Sequence, residues 1–147
     1  MNIQIRKARI DDVPSLYNLV YELAVFEKEP EALTTSLESY EDAFSENLID
    51  AIVAEDQGEI VGMVLYYMTF STWKGKSLYL EDFYVKEAYR QFGIGQSLFD
   101  AYLEEAKARG AQMTKWQVLD WNEVGINFYK KNNAVIETNW WNGKIYF

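Results

Sequence analysis

The chain has no cysteine, no histidine and only two prolines among 147 residues. Without cysteine there are no disulfides, thiolate metal sites or thiol nucleophiles; without histidine there is no Ser-His-Asp triad and no Cys/His zinc centre. Chemistry falls to Glu, Asp, Tyr, Lys, Ser, Thr or the backbone, and no bound metal is expected. Positive charge is also scarce: 14 Lys plus Arg stand against 23 Asp plus Glu, a net charge of −9. That balance argues against a nucleic-acid binder; it serves solubility and favours cationic ligands. No apolar run approaches the ~20 residues of a membrane span. The opening MNIQIRKARI lacks the apolar core of a secretory signal. The expectation is a cytoplasmic protein with neither nucleic-acid nor membrane partners.

What is present is a folding composition, 49% hydrophobic and 25% charged, in a length that suits one domain over residues 1–147. Ile3, Ile5 and Ala8 suggest a first strand. Asp11 is placed to cap a helix whose apolar face is Val13, Leu16, Leu19, Val20 and Leu23. FEKEPEALT, residues 26–34, reads as a loop, and Thr35 with Glu38 resembles a capping box for a second helix. Residues 51–54, 60–70 and 77–85 read as three strands of a meander. Gly95 or Gln96 starts a third helix that ends at Lys107, Arg109 and the Gly110 cap. A strand over 113–119 and a short helix over 124–131 follow. Residues 134–141 and 144–147 read as a hairpin across Asn142-Gly143. The order predicts a mixed α/β sheet.

The segment YRQFGIGQ, residues 89–96, lies between a strand and a helix. Two glycines two apart let successive N–H groups face one point, and a helix start beside them suits a phosphate or pyrophosphate. A plain glycine turn into a helix is the alternative. A dinucleotide fingerprint is excluded, because Leu98 occupies its third glycine position; a P-loop ending at Gly75-Lys76-Ser77 is excluded, because Phe70 occupies its first.

Arg90 to Gly95 resembles the Q/R-x-x-G-x-G/A loop of the GNAT superfamily of N-acetyltransferases. The preceding LYLEDFYV and the later WNEVGINFYKKNNA are similar to its spermidine/spermine acetyltransferase branch, which includes thialysine acetyltransferases. The resemblance covers nearly the whole chain. It implies a GNAT fold: a mixed, mostly antiparallel sheet with splayed strands, flanked by about four helices. It also implies acetyl-CoA as acetyl donor, lying in the cleft between the splayed strands.

On this resemblance Arg90, Gln91, Phe92, Gly93, Ile94, Gly95 and Gln96 hold the pyrophosphate. Phe83, Tyr84 and Val85 offer backbone groups to the pantetheine arm, with the Val85 amide as oxyanion donor. Asn122, Glu123, Val124 and Gly125 contact the cofactor from the other side, and Asn132 lies near its phosphate end, where relatives carry a basic residue. Tyr129 matches the general acid that protonates the departing thiolate; a phenol's reference pKa of about 10 suits that task. Glu81 matches the carboxylate that takes the amine's proton through water, with Asp82 a weaker substrate contact. Adjacent strand residues face opposite ways, so both serve one pocket only if a bulge intervenes. Phe26, Glu27, Trp73, Lys115, Trp116 and Gln117 fall where the family lines its acceptor site, carboxylates beside aromatics suiting an ammonium group.

Three departures bear on the substrate. Ser71 stands where similar polyamine enzymes place an aspartate, Asn132 replaces a base, and the chain stops at Phe147 without the extra helix of longer relatives. A smaller diamine or a thialysine-like amino acid is as well suited as spermine. The resemblance implies a homodimer. With no cysteine for an acetyl-enzyme, direct attack in a ternary complex is expected. Two other readings stay open: a non-catalytic acyl-CoA sensor, against which Tyr129 and Glu81 speak, and a protein or peptide acetyltransferase.

Overall fold

The computed structural model describes residues 1–147, which fall into two units, Met1–Gln117 and Val118–Phe147. The first holds β1 (Ile3–Lys7), α1 (Val13–Phe26), α2 (Leu37–Ser45), β2 (Asp50–Asp56), β3 (Glu59–Ser71), β4 (Gly75–Val85), α3 (Ile94–Ala108) and β5 (Met113–Trp116). The strands form one sheet in sequence order. β1 to β4 are antiparallel neighbours, and β5 joins β4 in parallel after the α3 crossover. This is the mixed, mostly antiparallel α/β sheet expected.

Strand alternation divides the core between two faces. Val53, Met63 and Leu65 pack with Leu16, Leu19 and Val20 of α1. The intervening residues face α3, where the Tyr66 ring lies 5.6 Å from that of Tyr102. The Tyr102 hydroxyl donates to the Leu78 carbonyl at 2.6 Å, so the buried phenol is satisfied. At Gly62 on β3 an added Cβ would stand 3.1 Å from Leu98 and 3.2 Å from the Tyr84 carbonyl and the Val85 side chain. That close approach of β3, β4 and α3 fixes where α3 begins relative to the end of β4.

Both helix starts differ from the sequence expectation by one residue, and the α1 start carries no side-chain cap hydrogen bond. Asp12, not Asp11, is the structured carboxylate: it accepts from the Arg9 amide at 2.7 Å and takes both Arg6 nitrogens at 2.7 and 3.0 Å, while Arg6 also binds Glu55. Ser36, not Thr35, caps α2 by accepting from the Ser39 amide. α3 starts at Ile94, ahead of the expected Gly95 or Gln96, because Gly93 takes the left-handed turn at φ 79°.

The second unit contains α4 (Glu123–Lys131). The predicted terminal hairpin is absent: residues 132–147 form no strand, and Trp140, Trp141, Tyr146 and Phe147 are exposed. Asn-Gly is a local turn signal, but two short strands that join no larger sheet are marginal in water.

Candidate functional site

The site is built around the second half of β4. β5 pairs with β4 only from Ser77↔Met113 to Leu80↔Trp116. Beyond Leu80, β4 runs on through Val85 with β3 on one side and no strand ladder on the other. This is the splaying the fold class calls for. It also shortens the expected strand over 113–119, leaving Gln117 just past the end of β5.

The register of β3 on β4 shifts at the same place. Tyr66 pairs with Leu80 and Leu65 with Asp82, so Glu81 is an extra, unpaired residue: a β-bulge. In a regular strand Asp82 would share the α3 face with Leu80. The bulge brings it round to the face of Leu65, where α1 packs. Glu81 reaches the same side, since its Oε2 accepts from the hydroxyl of Tyr67, two residues from Leu65 on β3, at 2.8 Å. Both carboxylates therefore serve one region, the condition the sequence alone left open.

That region is acidic and aromatic. Burial pushes the Asp82 carboxyl up to about 7, helped by the charges of Glu81 and Glu27. Burial also raises Glu27, at the end of α1. Tyr40 of α2 is pushed up to about 12 by burial and then by the Asp82 charge. Tyr67 and Tyr79 stack across the strands at 5.3 Å, and Tyr17 meets Tyr40 edge-on at 5.0 Å. Tyr40, Tyr67 and Tyr79 were not foreseen as site residues. The cross-strand pair Tyr67–Tyr79 follows from counting outward from the turn after Ser71, which was the available signal.

Other residues go elsewhere. The Trp116 ring lies edge-on to Phe99 at 5.7 Å, with Phe83 stacked on Phe99 from β4, so both occupy the α3 face. Lys115 is exposed opposite Tyr79. Trp73 is exposed in the β3–β4 turn, where Ser71 Oγ accepts from the Trp73 and Lys74 amides; Ser71 thus has a turn-forming role. Arg90 folds back on the strand end: its Nε donates to the Val85 carbonyl at 2.9 Å, and its guanidinium lies 5.2 Å from the Tyr84 ring and 5.6 Å from that of Phe26.

The loop into α3 fits an anionic group. Gln91 and Gly93 are both left-handed, at φ 68° and 79°, on either side of the exposed Phe92, and such alternation turns consecutive amides toward one point. No side chain caps α3 at Gly93, and a helix start of that kind suits an anionic group. A Cβ on Gly95 would meet Phe83 at 3.7 Å and Val85 at 4.0 Å, ordinary contacts that seat the helix start on β4.

In the second unit Asn122 caps α4 by accepting from the Gly125 amide at 3.0 Å. A Cβ on Gly125 would stand 2.7 Å from the Asn122 side chain, so the cap and the glycine require each other. Glu123 opens the helix and Val124 is exposed. Tyr129 is buried, with Phe128 against its ring at 5.6 Å. Asn132 donates to the Phe128 carbonyl and closes the helix end.

A parallel strand pair that parts in mid-sheet, beside a helix start with no side-chain cap and with carboxylates on the same strand, is the frame of an N-acyl transferase. The chain belongs to the acetyltransferase (GNAT) family, whose profile matches residues 13–134, and it is an N-acetyltransferase. A thialysine N-epsilon-acetyltransferase of Bos taurus is 37% identical over 142 residues, 90% of this chain and 84% of that protein. Its Mus musculus counterpart is 39% identical over 137 residues, 86% of this chain and 81% of the relative. The fold matches the crystal structure of an aminoglycoside acetyltransferase from an uncultured soil metagenomic sample, with TM-score 0.82 and 21% identity over 99% of this chain and all of the other.

Proposed function

We propose that the protein transfers the acetyl group of acetyl-CoA to a primary amine of a small molecule: a polyamine, a diamine or a thialysine-like amino acid. The observation that carries the reading is the cluster of Glu27, Glu81 and Asp82 among the tyrosines of the α1 face, where only negative charges act on Asp82. Such a pocket attracts an ammonium group by charge and cation–π contact. The thialysine acetyltransferase relatives support the same substrate class.

In the proposed reaction the ammonium, which Asp82 helps to hold, first gives a proton to Glu81 through water. The amine nitrogen then attacks the thioester carbonyl carbon, a C–N bond forms, and the developing oxyanion is met by the Val85 amide. The C–S bond breaks, the thiolate takes the Tyr129 hydroxyl proton, and the amide nitrogen gives up its remaining extra proton, which restores the Tyr129 phenol. Gln91 to Gln96 with Arg90 serve the pyrophosphate, Phe83 and Tyr84 the pantetheine arm, and Asn122 to Gly125 with Asn132 the opposite side. One N-acetyltransferase domain over residues 1–147, working as a homodimer, completes the reading.

The test is free-thiol release from acetyl-CoA across spermidine, putrescine, thialysine, lysine, aminoglycosides and a lysine peptide. Turnover with a small amine is expected, reduced about 10²-fold or more by Tyr129→Phe. Turnover with the peptide alone would refute the small-molecule reading, and an undiminished Tyr129→Phe enzyme would refute the acid role.

A further inference from the structure

The family resemblance assigns the amine's proton to Glu81, but the geometry of β4 points elsewhere. Glu81 is the bulge residue: it is exposed, and its Oε2 is already engaged by the Tyr67 hydroxyl at 2.8 Å. Asp82 is the next residue, turned by the bulge onto the α1 face and half-buried. We infer that Asp82 is the base that accepts the ammonium proton, and that Glu81, held by Tyr67, is the positioning charge beside it. The inference rests on the acetyl-transfer reading above.

Four elements bring titratable groups to bear on Asp82 and its neighbour. Glu81 and Tyr79 lie on β4 itself, Glu27 follows α1, Tyr40 comes from α2 and Tyr67 from β3. None is a cation, so nothing in the unliganded site stabilises an ionised Asp82. A carboxylate in that position binds a proton far more firmly than one in water, and a base is most effective when its pKa lies near the working pH. The Asp82 value of about 7 meets that condition. The proton passes from the substrate nitrogen to an Asp82 oxygen, leaves the nitrogen lone pair free for attack, and returns to solvent after product leaves. Glu81 and Glu27 do two things at once: they draw the ammonium in, and they hold Asp82 basic.

The two carboxylates are separated by the pH profile of kcat/KM for an accepted amine at saturating acetyl-CoA. This ratio reports the donor-loaded enzyme before the amine binds. For the wild type an acid limb is expected near pH 7. Asp82→Asn is expected to lose about 10²-fold or more at pH 8 and to lose the limb as well. Glu81→Gln is expected to lose about tenfold or less and to keep the limb, displaced to lower pH because a negative neighbour of Asp82 is gone; Glu27→Gln displaces it in the same direction. Asp82→Asn is nearly isosteric, and a cooperative melt no lower than the wild type's separates lost chemistry from lost folding. A limb that survives in Asp82→Asn and vanishes in Glu81→Gln overturns the assignment and returns the base to Glu81. A wild type silent with every amine instead overturns the acetyl-transfer reading itself.

Discussion

Replacing Asp82 by asparagine should stabilise the protein, and by an amount that grows with pH. The ordinary carboxyl value is 3.8, and in the folded site it is pushed up to about 7, burial being the main cause and the Glu81 and Glu27 charges the next. The folded state thus binds the proton more firmly than the unfolded chain does. Between those two values stability falls as pH rises, since ionisation favours unfolding. Stability from this group is complete below pH 3.8 and lost by the time pH has risen through 7. At about 1.36 kcal/mol per pH unit the loss reaches about 4 kcal/mol at pH 8, and is still about 1.5–2 kcal/mol at pH 5. The asparagine variant escapes it. The stability difference between variant and wild type should therefore widen by about 2.5 kcal/mol from pH 5 to pH 8, which at about 2–4 °C per kcal/mol widens the melting-temperature difference by roughly 5–10 °C. Thermal denaturation by circular dichroism at both values measures it. Most other titrations are common to the two proteins and cancel in the difference. A pH-independent difference would refute the claim that Asp82 is desolvated among like charges.

Two further outcomes follow from other parts of the molecule. Asp12→Asn should cost about 2–3 kcal/mol near neutrality, because it leaves the Arg6 guanidinium without its bidentate partner and the Arg9 amide without a charged acceptor. The Arg6 hydrogen bonds hold the Asp12 carboxyl below its ordinary 3.8. Its contribution is thus present above that value and lost as pH falls through the lower folded value, so chemical denaturation should show the gap closing in acid. Trp140, Trp141, Ile145, Tyr146 and Phe147 are each exposed, large apolar side chains of the sort that interfaces cover. Light scattering at micromolar concentration should return the mass of two protomers, and a one-protomer mass would refute the homodimer.

The sequence was legible wherever one local pattern had one structural solution. The helical repeat of Leu98, Phe99 and Tyr102 gave α3, and the two glycines with a helix behind them gave the loop. Where neighbouring residues were equally able, the choice was tertiary. Asp11 and Asp12 are both sound caps, and only Arg6, arriving from β1, decides for Asp12. The bulge was illegible for a deeper reason. SLYLEDFYV alternates acceptably in either register, and one inserted residue inverts every face beyond it. No property of β4 alone says where that residue falls; it depends on pairing with β3. The terminal hairpin failed in the opposite sense, a strong turn signal whose strands have no place in the sheet.

On the proposed reading, the bulge also lets one strand serve two substrates. Past Leu80, β4 has lost β5, so its edge is open to a ligand running alongside it. Its side chains there still go both ways: Phe83 to Phe99 of α3, behind the loop that suits the donor's phosphates, and Asp82 and Tyr84 to the α1 face, where the acceptor's charge is met. Were Glu81 paired in regular register instead of bulged, Asp82 would point with Leu80 into the packing against α3, an unpaired carboxylate in an apolar layer. Glu81 alone would then face the amine. The register shift at Glu81 turns the Asp82 charge from the α3 packing to the α1 face. The irregular register and the desolvated carboxylate thus fall at the same two neighbouring residues.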